Sequence, residues 1–272
     1  MGEVKNLRTR ANTLRQDIIR MISEVGSGHP AGALGMADIF AVLYFHILKH
    51  NPKKPDWEDR DRLVLSNGHI CAVRYSAMAR SGYFPVKELK TFRKINSRLQ
   101  GHPSYLDLPG LESSSGSLGQ GLSVAAGMAL AGKLDKKHYK IYCVVSDGEL
   151  DEGSSWEAIN AANKWQLDNL IVIVDRNYIQ ISGNTEEIWP LGSLRKKFES
   201  YNWHVVETDG NSIKRLLGAF DRIKHMKGKP IVMIAKTVPG KGVSFMENNH
   251  VWHGKPPSRE ETEKALRELQ KK

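Results

Sequence analysis

Two apolar runs, residues 141–145 and 170–174, restrict the fold of this chain more than any other feature. The first lies in "KIYCVVSDGELDEGSSWEAIN" and leads straight into Ser146-Asp147-Gly148. Asp-Gly favours the tight reversal of a hairpin, but a hairpin needs a second strand at once. The chain instead continues into Ser154-x-x-Glu157, a capping-box pattern, and then Trp156, Ile159 and Ala162 at helical spacing. The second run, "LIVIVDRN", comes after about three helical turns, the length of a crossover between parallel strands. Asp147 and Asn177 therefore stand just beyond the carboxyl ends of two strands, where open α/β sheets bind ligands.

The rest of the chain repeats the alternation. Leu14, Ile18, Ile19, Ile22 and Val25 predict an amphipathic helix, which "SGHPAGALG" interrupts before a second helix over 36–48. "RLVLS" is a short strand, followed by helical stretches over 72–80 and 86–94 and the loop "LQGHPS". A Ser/Gly stretch over 113–118 opens a small-residue helix, "GQGLSVAAGMALAGKL". Beyond the second apolar run, a polar loop reaches Trp189, then a strand over 201–206, a helix from Ile213 and the strand "PIVMIAK". Ser258-x-x-Glu261 starts a terminal helix. Without an internal repeat or a long linker, the expectation is one α/β domain over 1–272 with a mostly parallel sheet, residues 258–272 serving as its end or as a docking element.

A chain of 272 residues can bury roughly three-quarters of its unfolded surface. Its opening residues lack the order of a signal peptide, and no apolar run nears the roughly 20 residues that span a bilayer, which predicts a cytoplasmic protein without a membrane segment. Cys71 and Cys143 lie in apolar surroundings without metal-ligand spacing and read as buried free thiols. The net charge of +10 permits an anionic ligand or an acidic partner. Its basic residues are scattered, without the aromatic interleaving of a single-strand binder, which argues against nucleic acid.

Three constellations carry chemistry. A carboxylate and an amide oxygen, Asp147 and Asn177, form a hard donor set that Mg²⁺ takes alongside phosphate and water oxygens; an arginine or a helix amino end could equally neutralise the aspartate. The loop "SSSGSLGQG" can bring backbone N–H groups close to a phosphate, although small residues also serve close helix packing. His29, His69, His102 and His253 each sit in a loop beside glycine, and converging imidazoles suit proton transfer or hydrogen bonds to hydroxyls. Their spacing does not match helical zinc ligands.

"SDGELDEGSSWEAINAANKWQLDNLIVIVDRN" resembles the thiamine-diphosphate signature, a Gly-Asp-Gly followed about thirty residues later by Asn. The loops "SGHPAGALGMADI", "LSNGH", "QGHPS", "GSLGQGLSVAAGMALA" and "WHGKPP" resemble the transketolase family in particular, in order over nearly the whole chain. Ser146 departs from the family's usual Gly. The resemblance implies a thiamine-diphosphate-binding fold with helices on both faces of the sheet. It implies Mg²⁺ ligation by Asp147, Asn177 and the carbonyl of Ile179, and cofactor contacts from Gly148, Gly116, Ser117 and Leu118. His69 and His253 would lie against the diphosphate or the reaction centre, and His29 and His102 would face the sugar. Glu152 would be the buried acid linking two active sites across a dimer, or else an exposed residue leading into a helix. The family reaction moves a two-carbon ketol unit between phosphosugars. Its pyrimidine-binding and carboxy-terminal domains do not follow here, so the expectation is an amino-terminal subunit that is inactive alone and works with a carboxy-terminal transketolase subunit in a dimer of heterodimers. Subunits of 2-oxo acid dehydrogenases, deoxyxylulose-phosphate synthase and a non-catalytic docking protein are the alternatives.

Overall fold

The computed structural model describes residues 2–271. Its strands are β1 (Arg62–Leu65), β2 (Ile141–Ser146), β3 (Leu170–Arg176), the short pair β4 (Ile179–Gln180) and β5 (Gly183–Asn184), β6 (His204–Asp209) and β7 (Ile231–Lys236). The helices are α1 (Gly2–Val25), α2 (Pro30–Gly35), α3 (Ala37–Val42), α4 (Cys71–Ser81), α5 (Gly121–Leu134), α6 (Gly153–Lys164), α7 (Thr185–Ile188), α8 (Leu194–Ser200), α9 (Ile213–Lys224) and α10 (Arg259–Gln270).

Five strands form one sheet in the order β1-β2-β3-β7-β6, every neighbour parallel. All residues of β2 and β3 are buried, because helices cover both faces. Alternation divides them: Tyr142, Val144, Ile171 and Ile173 pack with α1–α4 and α9, whereas Ile141, Cys143, Val145, Val172 and Val174 pack with α5, α6 and α8. Each such side chain contributes about 1.5–3 kcal/mol by burial, so Ile173→Ala would cost about 2–5 kcal/mol. On α1 the stripe Leu7, Ala11, Leu14, Ile18 and Ile22 is buried at helical spacing. Ala265 and Leu269 of α10 are buried in the same core, and Asn12 of α1 donates to the carbonyl of Leu269 at 2.7 Å. Cys71 and Cys143 are free and buried, and burial pushes the Cys71 thiol up to about 12.

Several local expectations are corrected. Residues 30–35, expected as a break, form α2, because Pro30 sits at its first turn and its small residues let the backbone reach the 238–240 loop, where Gly240 N donates to the carbonyl of Ala31 at 2.8 Å. The helix expected over 36–48 is α3 followed by a π-helical turn, Leu43–Ile47, and that over 86–94 is a 3₁₀ segment, Val86–Thr91. Ser154 does not cap α6. That helix starts at Gly153 after a 3₁₀ turn, Gly148–Asp151, and the Ser154 hydroxyl donates elsewhere. The polar loop reaching Trp189 contains β4, β5 and α7, with Asn184 capping α7. β6 begins at His204 because Asn202, at φ 62°, ends the preceding turn in the left-handed region. Ser258 and Glu261 form the expected capping box. No helix among the described residues is long and apolar enough to cross a membrane.

Candidate active site

Ser146 pairs with Asp175 in the β2–β3 register, so Asp147 and the Asn177 turn leave adjacent strands side by side. Asp147 is wholly buried. Its Oδ1 accepts from Gly148 N at 2.9 Å, and its Oδ2 accepts from Tyr178 N at 2.7 Å and Arg176 Nη1 at 3.2 Å. Burial nevertheless dominates and raises the carboxyl to about 6, against the Tyr178 N–H and the Arg176 charge. Asn177 Nδ2 donates to Asp175 Oδ2 and Asn177 Oδ1 accepts from Ile179 N, each at 2.9 Å. Asp175 thereby fixes which end of the amide is oxygen, leaving that oxygen one further lone pair. Buried itself, Asp175 also accepts from Thr237 Oγ1 and is raised to about 7 by burial.

Arg176 fills the role of cationic partner that the sequence left open. Besides Asp147, it donates to Thr185 Oγ1 at 3.2 Å and Glu186 Oε1 at 2.5 Å, and its guanidinium lies over the Tyr178 ring at 4.0 Å. A concavity of about 600 Å³ lined by Arg176, Tyr178, Lys236 and Thr237 borders this corner; another of about 630 Å³, between α1, the Val86–Thr91 segment and the start of α10, lies apart from it.

The glycine segment reaches the same region through close backbone packing. Gly119, at φ +79°, has Ser154 Oγ and Glu152 Cβ beside it, and a Cβ there would fall 2.5 and 2.8 Å from them. On Gly68, just before His69, a Cβ would fall 2.2 Å from Ser115 Oγ, so the His69 turn and the 113–118 loop interlock. Gly116 lies against the His102 ring, where a Cβ would be 3.6 Å from the ring carbon Cγ. Gly116 and Ser117 are exposed, and Leu118 and Gly148 are half-buried.

Three of the four histidines converge. Ring centroids of His29, His69 and His253 are 5.1–5.6 Å apart, and His102 is close enough to act on His29 and His69 electrostatically. Burial, then the neighbouring imidazoles and, for His29, Arg93, hold His29 down to about 4 and His69 well below the usual histidine range. Burial also lowers His253, and burial with Arg93 lowers His102. The rings are therefore neutral at pH 7, able to accept or donate one hydrogen bond at each nitrogen according to tautomer. Glu152 is exposed in the single chain.

Several residues of this region carried no sequence signal. Arg93 adopts φ 57° and donates to Ser27 Oγ at 3.0 Å and the carbonyl of Gly101 at 3.2 Å. Glu149 is fully buried and accepts from Ser66 Oγ and from Gly119 N at 2.7 Å. Asn67 is also fully buried. Arg176 could have been suspected only from a basic residue next to Asp175, the charge that closes five apolar residues.

The polar atoms fit an anionic, oxygen-rich ligand accompanied by a hard cation. His29 Nδ1, Ser115 Oγ, Gln180 Oε1 and both ends of the Asn67 amide are buried without a hydrogen-bond partner in the chain. Such groups cost about 1–3 kcal/mol each unless a ligand or water meets them. Gln180 Oε1 flanks Gly148, where a Cβ would be 3.4 Å from it. Asp147 and Asn177 can offer carboxylate and amide oxygens to Mg²⁺, as can the backbone carbonyl of Ile179.

An α/β sheet with a carboxylate and an amide beyond adjacent strands, faced by a glycine segment and an imidazole cluster, is the architecture of thiamine-diphosphate-binding domains. The chain belongs to the transketolase thiamine diphosphate binding domain family, whose model matches residues 7–270. It is 38% identical over 267 residues to the A-subunit of the apulose-4-phosphate transketolase of Phocaeicola vulgatus, covering 98% of this chain and 95% of that protein. With the 6-deoxy-6-sulfo-D-fructose transketolase subunit SqwG of a Clostridium species it shares 39% identity over 266 residues, 98% of this chain and 97% of that protein. The solved transketolase of Campylobacter jejuni superposes with a TM-score of 0.92 at 38% identity, over 97% of this chain but 42% of the other. The chain thus spans about two-fifths of the length of that solved transketolase.

Proposed function

We propose that this chain holds the diphosphate end of thiamine diphosphate and, with a second subunit, transfers a two-carbon ketol unit from a ketose phosphate to an aldose. The observation that carries the reading is the placement of Asp147 and Asn177 at the ends of paired strands, with Asp175 and Arg176 fixing their oxygens. Asp147, Asn177 and the Ile179 carbonyl hold Mg²⁺, and Gly148 with Gly116, Ser117 and Leu118 line the cofactor's diphosphate. When bound, thiamine diphosphate supplies the carbon that accepts and releases the ketol unit. His69 and His253 take positions beside the cofactor, His29 and His102 beside the sugar, and their neutral nitrogens exchange hydrogen bonds and protons with substrate hydroxyls. Glu152 belongs at the contact between two copies of the site.

The full-length similarity to the A-subunits of apulose-4-phosphate transketolases supports a second subunit carrying the remaining domains. The purified chain should retain thiamine diphosphate only with Mg²⁺, and should turn over a ketose–aldose phosphate pair only when mixed with the candidate partner. Turnover by the chain alone would refute the divided enzyme. Metal-independent cofactor binding would refute the clamp.

A further inference from the structure

Glu149 is fully buried two residues after Asp147, and it joins three segments that are remote in sequence. Its Oε1 accepts from Gly119 N at 2.7 Å and from Ser66 Oγ, while its Oε2 accepts from Ser146 N at 3.3 Å. Ser66, directly after β1, accepts in turn from Gly121 N at 3.0 Å, at the start of α5. The far side of the Gly119 residue is held too, since Ser154 Oγ donates to its carbonyl at 3.0 Å. The Glu149 carboxylate thus meets only N–H and O–H donors in these contacts. Together with the amino end of α5 they offset the cost of burying it.

The consequence is geometric. Gly119 follows the Gly116–Leu118 segment, and Glu149 follows Asp147, so one carboxylate sets the register between the two parts of the proposed diphosphate seat. We propose that Glu149 is a positioning residue that, through Gly119 and Ser66, locks the glycine segment onto the Asp147 turn before the cofactor arrives. This rests on reading the site as a thiamine diphosphate seat. An ordinary helix cap would stabilise the fold without altering affinity, whereas a register lock acts on affinity through preorganisation.

Two variants of the full chain test it: Glu149→Gln, which keeps the side-chain volume but places an amide where two donors meet, and Ser66→Ala, which removes one leg and leaves the carboxylate. Hydrogen exchange without cofactor should quicken about tenfold over residues 119–121 in both, the size of a lost buried hydrogen bond to a charged acceptor, while α4 and α9 keep wild-type rates. Calorimetry with magnesium and thiamine diphosphate, in the presence of the second subunit, should show about tenfold weaker binding in both, at melting temperatures within a few degrees of wild type. Wild-type exchange over 119–121, or wild-type affinity, in Ser66→Ala and a folded Glu149→Gln would overturn the proposal. If wild type itself fails to bind thiamine diphosphate, the cofactor reading fails and the proposed role of the lock falls with it. The exchange data then still report separately whether the tie exists.

Discussion

Arg176 Nη1 lies 3.2 Å from Asp147 Oδ2, with both side chains almost entirely out of solvent. The same oxygen accepts from Tyr178 N, so the carboxylate that the site presents to a cation is already oriented by the last residue of the neighbouring strand and by the turn that follows it. Arg176→Met should destabilise the metal-free chain by up to about 3 kcal/mol, because a buried carboxylate loses its counter-charge. Added magnesium and cofactor should restore more of the melting temperature in this variant than in wild type. Equal ligand-induced shifts in both proteins would show that Asp147 and the metal do not compete with Arg176.

Asp147→Ala and Asn177→Ala should each abolish magnesium-dependent retention of thiamine diphosphate while leaving the fold intact. Each removes an oxygen donor from a turn after a strand and nothing from the apolar core. Calorimetric titration of the reconstituted complex checks this, with unchanged affinity in both variants as the contrary result.

His253→Ala should lower turnover far more than cofactor affinity. A neutral imidazole packed against His29 and His69 contributes when charge develops on the reacting groups, and such groups typically contribute about 10²–10⁴-fold. Steady-state kinetics set beside a cofactor titration separate the two effects. Turnover within about twofold of wild type would assign His253 to packing alone.

The imidazole cluster should make the folded state sensitive to acid. His29 faces His69, His102, His253 and Arg93, and is held at about 4 against an ordinary 6.5. Between those values the unfolded chain binds the proton more readily. The contribution of the neutral ring is therefore complete above about pH 6.5 and is lost as pH falls towards about 4. Asp147 and Asp175, raised by burial, act in the opposite direction, but they are common to wild type and a His29 variant. His29→Gln should lose less melting temperature than wild type between about pH 7.5 and pH 5. Equal losses would remove His29 from the acid response.

The apolar runs around Val144 and Val172, the helical spacing of Trp156, Ile159 and Ala162, and the Ser258–Glu261 box are patterns contained within a few turns of chain. They fixed the parallel sheet and the positions of Asp147 and Asn177 without reference to anything distant. Local pattern misled where the partner was distant: Ser154 has the spacing of a cap, yet its hydroxyl binds Gly119, and the 30–35 segment has the composition of a loop, yet packs as α2 against the 238–240 turn. Only the tertiary structure could bring His29, His69 and His253 together, pair Arg176 with Asp147 and bury Glu149 beneath the glycine segment. Periodicity records which face of an element meets the core. The partner of a buried polar group depends on which loops the sheet order brings to the same end, and no local period encodes that order.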